Sequence, residues 1–574
     1  MPHDNFQTID TDVLIIGGGL AALRAALAAR NAGVRVLMLG KRLIGRSGSS
    51  TMTTGGYAAA MPDFNTGDSA DLHYIDTVIG GGCVNERSLI RALVDEAPAR
   101  LRELWDYGVQ FRKRNGHYHL SPSGDHTQAR VFVPENMRGI DLTIPLRQAA
   151  LDAGVDLVED FVALDLICDD DRAVGALALG RLKGDAVIIN AGATVLAAGG
   201  AGRLFPVTSN PIDVCGGGYA LAIRAGAHLR DMEFIQFYPW RLIQPFKSTR
   251  VPIQPSTFMI GARLYNSRGE RFMDQYDPVK KEAAPRDVSA RGIADQIRQG
   301  LGVDGGVVLD VSDVPDDQFR YENSKVVDLL DPKKIDYRQI QLVVAPEAHF
   351  FMGGVSIDDC GRASLRGLYA AGENAGGLHG GNRLNSNSIP ETQVFGHRAG
   401  LTAAQESSSV RRRGGNSEAA VALTRALERV GSDVVNPSFA ELADQLRGVA
   451  AVELGIVRSG PGLERALISI AHIVERAEAA PVGSLHDIFA RADLWDLCAT
   501  ARACAASALH RRESRSAHYR SDFPNTDPAW MRTVFYDLSG IHTRTVEPDP
   551  HEARWAALRN AKPAKAAGEK EYVE

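Results

Sequence analysis

Close to its start the chain passes from an apolar run, VLII, through three glycines into an alanine- and leucine-rich stretch. A second apolar run, VRVLML, follows. The pattern predicts a strand over Asp12–Ile16, a helix beginning just after Gly19, and a second strand over Val34–Leu39. Gly17, Gly19 and Ala22 keep the G-x-G-x-x-A spacing between that strand and helix. The first glycine permits the tight turn, the second lets a pyrophosphate approach the backbone, and the small third residue lets helix and strand pack closely. The unpaired N–H groups of Leu20 and Ala21, at the helix N-terminus, are the expected anchor for that anion. The second strand ends in Gly40-Lys41, where an acidic residue is expected on the ribose hydroxyls, so Lys41 becomes the candidate contact there.

Two later apolar runs also end in small residues. ATVLAAGGAGRLF reads as a strand running into Ala198, Gly199 and Gly200, where only a hydrogen side chain lets the backbone close on a ligand. GLYAAGEN reads as a buried strand ending at Glu373, placed to hold the hydroxyls of a bound nucleotide. Three nucleotide-facing segments far apart in sequence belong to one large cofactor, and FAD is the economical choice. Two polar residues flank the last segment. His349 is a donor whose charge can change near neutral pH, and Arg383 is a fixed cation able to grip a carboxylate through two parallel hydrogen bonds.

Taken together, these residues resemble the flavoprotein family of succinate dehydrogenase, fumarate reductase and L-aspartate oxidase, over roughly Thr11–Asp527. The landmarks GGGLAALRAA, TTGG, LAAGGAGR, DMEFIQFYP, RGERFM, APRDVSARGI, HFFMGGVSID, GLYAAGEN, LHGGNRLNSNS and ESRSAHYRSDFP occur in the family's order. The resemblance implies an α/β fold, with a Rossmann-type FAD-binding domain, an inserted α+β capping domain and a C-terminal helical domain. The expected divisions are 1–236 and 346–405 for the FAD-binding domain, 237–345 for the cap and 406–530 for the helical domain. Helical patterning in AAVALTRALERV and SLHDIFARADLWDLCATARACAASALH supports the last. Residues 531–574 are expected to be an extension with little to bury, ending in a mobile tail.

By the same resemblance, Ser47, Ser49, Ser50, Thr54, Gly55 and Gly56 contact FAD, as do Asn387 and Ser388. Arg286, in APRDVSARGI, fills the position of the arginine that shuttles a proton while a hydride moves at flavin N5. The plainer reading of Arg286 is an ion pair with Asp287 or Glu282. His349 and Arg383 would bind a substrate carboxylate; alternatively, the first is a core histidine and the second a clamp on FAD. Glu233 is the expected relay partner of Arg286, or else a buried structural carboxylate.

Departures from the family pattern narrow the function. Ser49 stands where the membrane-bound enzymes carry the histidine that attaches to FAD, so the flavin is expected to be noncovalent. Thr54 replaces a common glutamine. The family's F-H-P-T reads Phe237-Tyr238-Pro239-Trp240, and the Thr-Glu pair for a second carboxylate is not recognisable in PSTFMIGARLYN. Either Arg241, Lys247 or Arg250 supplies a new cation, or the substrate carries a larger or neutral group against Tyr238 and Trp240; the second is favoured.

Composition adds bounds. The chain's 574 residues exceed one compact core, and a net charge of −6 gives no reason to expect nucleic-acid binding. Six scattered cysteines without a C-x-x-C pair argue against an iron–sulfur cluster or metal site in this chain and suit a reducing cytoplasm. No apolar run is long enough to span a bilayer. The expectation is thus a cytoplasmic enzyme with FAD, acting on a C–C or C–N bond beside the carboxylate of a small molecule. The alternatives are a fumarate reductase-like flavoprotein passing electrons to a separate iron–sulfur protein, an L-aspartate oxidase, and a non-catalytic FAD-binding protein. Self-association is left open.

Overall fold

The computed structural model describes residues 6–114, 116–245, 251–407, 423, 427, 436 and 438–561. The first apolar run forms β1 (Gln7–Ile16), the helix α1 (Leu20–Asn31) follows the glycines, and the next run forms β2 (Val36–Gly40). β1 starts five residues earlier than the apolar pattern predicts, because Gln7–Thr11 pair in parallel with Val187–Ala191. A hydrogen-bonding partner there outweighs the polar side chains of that segment.

The main sheet continues with β3 (Asp156–Glu159), β4 (Phe161–Asp169), β5 (Arg172–Gly180) and β6 (Ala186–Leu196) in the order β3-β2-β1-β6-β5-β4. Leu368–Ala370 adds a seventh strand alongside the end of β6. β1, β6 and this last strand all run parallel, so Gly17, Ala197 and Ala371 meet at one edge. Ligands of open α/β sheets bind outside such carboxyl ends.

A second core takes its buried residues from between Tyr238 and Val344, around Trp240, Phe272, Phe319 and Leu342. Its antiparallel sheet has β7 (Ile235–Gln244), β8 (Arg263–Tyr265), β9 (Val307–Asp310) and β10 (Leu342–Phe351) in the order β7-β10-β9-β8. α2 (Arg286–Arg298) packs on β7, and β7 and β10 both cross from this cap to the main core. Those crossing strands carry Gln236, Tyr238, Glu347 and His349 to the junction.

After α3 (Ser388–Ser407) come α4 (Ser438–Glu453), α5 (Gly460–Ala479) and α6 (Leu485–His510). AAVALTRALERV lies almost wholly outside the described residues. The expectation of an extension with little to bury fails from Arg532 to Ala561. Strands Arg532–Asp537 and Gly540–Thr545 form a hairpin whose first strand pairs with Leu229–Arg230. A final helix, Glu552–Ala561, seats buried Trp555 on Tyr74. A short apolar run, VFY, closed by the two-residue turn Leu538-Ser539 supplies what the tail's bulk composition hides. Among the described residues no helix is long and apolar enough to cross a membrane.

Candidate active site

One continuous cavity runs from the glycine turn after β1 to the start of α2. Its walls include Gly17, Gly19, Lys41, Glu373, Arg286 and Arg383. At the nucleotide end Gly17 has φ +140°, and a Cβ there would lie 2.1 Å from the Ala197 carbonyl, so β1 and β6 can close only over glycine. Ser50 Oγ accepts from the Leu20 N–H at 3.1 Å, in front of the α1 N-terminus. Glu373 is half-buried in the cavity wall, accepts from the Phe351 N–H at 3.0 Å, and is pushed by desolvation up to about 8. A carboxyl group in that state welcomes hydroxyl donors. Lys41 Nζ donates to Asp493 on α6 at 2.5 Å, tying the end of β2 to the helical region.

Leu20, Ala21, Ser47, Ser49, Ser50, Thr54, Gly56, Ala198, Gly199 and Ser388 all line this cavity. Ser49 Oγ donates to Asn210 Oδ1 at 3.1 Å. Gly55, Gly200 and Asn387 are not in its walls. Gly55 packs on Pro134 and Leu142, and Gly200 packs on the Glu373 carboxylate. Asn387 is buried between His73 and Thr77. Each adjoins a lining residue, but its own contacts point into the protein.

At the other end two guanidinium groups converge. Arg286 is the first residue of α2, after Pro285, and Arg383 lies in the loop before α3. Arg286 Nη1 and Arg383 Nη2 donate to the same acceptor, Gln236 Oε1, at 3.1 and 3.0 Å. The Gln236 amide in turn donates to Asn382 Oδ1 and the Arg383 carbonyl at 2.8 and 2.7 Å, which fixes its orientation. Both arginines are buried, neither has an ion-pair partner among the described residues, and both Nε atoms lack a hydrogen-bond acceptor. Burial lowers the pKa of Arg286, and lowers that of Arg383 to about 9 with help from Arg286.

His349 Nδ1 lies 2.8 Å from Ser209 Oγ. Burial, reinforced by Arg383 and Arg286, pushes its pKa well below the ordinary value, so it is neutral here. The expectation of a histidine switching charge near neutral pH is corrected on that ground. Tyr238 Oη donates to the Ile253 carbonyl at 2.6 Å, and the Arg286 guanidinium sits 4.9 Å over the tyrosine ring. Glu347 lines the cavity opposite Tyr238 in the β7–β10 register and lies 3.6 Å from Arg241.

Several expectations give way to these contacts. Glu233 pairs with Arg511 at 2.7 Å in a fully buried ion pair, away from Arg286. The group linked to Arg286 is Asp125: Asn385 accepts from Arg286 through Oδ1, and its N–H donates to Asp125 Oδ2 at 2.7 Å. Burial opposes the Asp125 charge, but His126 and Arg286 hold its pKa below the usual carboxylate range. Glu282 pairs with Arg271, and Asp287 faces Arg291, so neither neutralises Arg286. Trp240 belongs to the cap core against Phe258 and does not line the cavity. Lys247 and Arg250 lie outside the described residues. Gln236, Asn385, Ser209 and Glu347 were not singled out from sequence. Two-residue alternation along PEAHFF was the available signal for Glu347.

Comparison with known proteins agrees with this fold. Residues 12–389 match the family described as FAD binding domain, and residues 443–560 match fumarate reductase flavoprotein C-term. The second match includes the hairpin and most of the final helix. The fumarate reductase flavoprotein subunit of Mycobacterium tuberculosis is 35% identical over 556 residues, covering 91% of this chain and 93% of the relative. L-aspartate oxidase of Caulobacter vibrioides is 35% identical over 540 residues, 92% of this chain and 96% of the relative. A solved quinol fumarate reductase chain of E. coli superposes with a TM-score of 0.85 at 27% identity, over 95% of this chain and 98% of the other. Fold and site together define an FAD-dependent oxidoreductase. The chain belongs to the flavoprotein family that includes fumarate reductase, succinate dehydrogenase and L-aspartate oxidase.

Proposed function

We propose that this protein oxidises or reduces a C–C or C–N bond next to the carboxylate of a small molecule, with FAD held noncovalently. The observation that carries the proposal is the pair of buried guanidiniums, Arg286 and Arg383, which have no anionic partner among the described residues. Burying an unneutralised cation costs several kcal/mol. A ligand carboxylate relieves that cost and supplies the acceptors both Nε atoms lack. Bound FAD would supply the hydride donor or acceptor. Gly17, Gly19 and the α1 N-terminus would hold its pyrophosphate, and Glu373 its hydroxyls.

In this reading Arg383 and neutral His349 grip the carboxylate, and Ser209 sets the imidazole tautomer by its hydrogen bond to Nδ1. Arg286 gives or takes the proton at the reacting carbon, and its lowered pKa brings it closer to that task. Asn385 and Asp125 form the relay behind it. The far end of the substrate meets Tyr238, Gln254 and Glu347. Arg241 lies behind these walls and pairs with Glu347 at 3.6 Å, so a second carboxylate is disfavoured and an uncharged or hydrogen-bond-donating group is preferred. Ser49 cannot form the link that the histidine of the membrane-bound enzymes makes to FAD.

One relative is named as the flavoprotein subunit of its enzyme, which implies further subunits there. We infer in parallel that electrons leave through a separate acceptor protein. The test is anaerobic bleaching of the bound flavin by a panel of amino acids, dicarboxylates and aromatic monocarboxylates, followed by acid precipitation. Bleaching by a carboxylate, with yellow colour left in the supernatant, is expected. No bleaching by any carboxylate together with no anaerobic re-oxidation of chemically reduced flavin by its unsaturated counterpart, or colour that stays in the pellet, would overturn the corresponding part. Arg286→Lys should lower turnover by about 10²–10⁴-fold while the flavin spectrum stays unchanged. Slow re-oxidation of the bleached flavin by air would support the separate acceptor.

A further inference from the structure

Absent from the cavity walls, three ligand-type side chains meet where the C-terminal hairpin joins the main body. His228 immediately precedes the strand Leu229–Arg230, which pairs with the hairpin. Asp537 ends the hairpin's first strand and His542 sits in its second. His228 Nε2 lies 3.4 Å from Asp537 Oδ2, and His542 Nδ1 lies 3.6 Å from the same oxygen. All three ligand atoms fall within 4.8 Å of one another. A tetrahedral zinc ion with ligands at about 2.0–2.1 Å sets its donor atoms roughly 3.3–3.4 Å apart. Two of the three edges of such a face are therefore already near their final length.

The donors are also held in place. Ser539 donates to Asp537 Oδ1 from both its backbone N–H, at 2.7 Å, and its hydroxyl, at 2.5 Å. That leaves Oδ2 as the oxygen facing the two imidazoles. The His542 ring stacks on Phe535 at 5.0 Å with an interplanar angle of 6°, and the two histidine rings meet edge to face at 5.5 Å. The backbone N–H of His228 is fixed by Ser364 Oγ at 2.9 Å. Both imidazoles are part-exposed, at 40% and 46%, so water can reach a fourth position. Outer hydrogen bonds of this kind orient metal ligands and raise affinity.

We propose that His228, Asp537 and His542 form a binding site for a borderline divalent cation, zinc or a close substitute such as cobalt or nickel. The donor set of two imidazoles and one carboxylate suits these ions over calcium or magnesium. The bound ion staples the turn of the hairpin to a strand more than three hundred residues earlier, and so acts on stability and not on turnover. A plain ion pair between Asp537 and a protonated histidine is the competing explanation for the same three side chains, and metal titration separates the two.

The tag-free, chelator-treated holoenzyme is titrated with Co²⁺ and then with Zn²⁺. One equivalent of Co²⁺ with the visible bands of a four-coordinate site, displaced by Zn²⁺, is expected, together with a rise in unfolding midpoint. His228→Ala and His542→Ala should each weaken binding by more than roughly 100-fold, and Ser539→Ala by roughly 10-fold, all with FAD content unchanged. Absence of saturable binding at micromolar metal would overturn the site and leave the ion pair. Binding that survives His542→Ala would also overturn it.

Discussion

Gln236 is the side chain on which the site's electrostatics turn. Its one carbonyl oxygen accepts from Arg286 and Arg383, and its amide is locked by Asn382 and the Arg383 carbonyl. Two like charges are thereby kept side by side and aimed into one cavity. Gln236→Leu removes both charge-assisted bonds and frees the two guanidiniums to turn out of line; a misalignment that costs the ligand the worth of one such bond, about 1.5–3 kcal/mol, should raise KM by about 10- to 150-fold without loss of flavin. Steady-state kinetics beside the absorption spectrum checks this; an unchanged KM would show that the arginines hold position without it. Glu373 gives a pH signature. Desolvation raises its pKa from the ordinary value of 4.5 to about 8, so the native apoprotein holds a proton there that the unfolded chain releases. Stability from this group is full below about 4.5 and is lost as pH rises through about 8. Denaturant unfolding of the apoprotein should therefore become easier between about pH 5 and 8, and Glu373→Gln should flatten that slope.

The strand ends at the nucleotide side separate two kinds of glycine that look alike in sequence. Gly199 has φ +79° with open space around its Cβ position, whereas a Cβ on Gly200 would lie 2.1 Å from Glu373 Oε1. Gly199→Ala costs only local backbone strain, roughly 1–2 kcal/mol, but puts a methyl into the cavity; it should fold and bind FAD weakly. Gly200→Ala should displace Glu373 and lower both stability and FAD retention. Flavin content and thermal midpoint of the two variants decide the matter, and equal behaviour would contradict it. The glycine turns and the strand into Glu373 were legible because each depends on residues adjacent in the chain, whereas Arg286 was singled out only through the family resemblance of APRDVSARGI. Gln236 was not legible, since its partners Arg286 and Arg383 lie 50 and 147 residues away and a neutral amide in an apolar run carries no charge signal. Glu233 is the buried structural carboxylate of its alternative reading: its partner Arg511 lies 278 residues away, beyond the reach of any local pattern.

Across the molecule, the C-terminal helix reaches the active site through a line of buried charges. Arg559 on that helix pairs with Asp76 at 2.9 Å, and Asp76 also accepts from Arg130 at 2.8 Å and from the Thr127 N–H at 2.9 Å. Thr127 follows His126 and Asp125, the residues that face Asn385 and Arg286. The helix is anchored at its other end by Glu552 on Arg87 and, between them, by Trp555, 8% exposed and 4.9 Å from the Tyr74 ring. Trp555→Ala should lower the unfolding free energy by about 3 kcal/mol, the lower end of the range for deleting a buried aromatic, because one side of the ring faces the surface. Turnover at low temperature should change little, since Arg130 still neutralises Asp76 and holds the loop carrying Asp125. Urea unfolding of the holoenzyme, read beside turnover of the same preparation, tests both halves. A large fall in turnover with stability intact would mean that the helix positions Asp125 directly and is more than a brace.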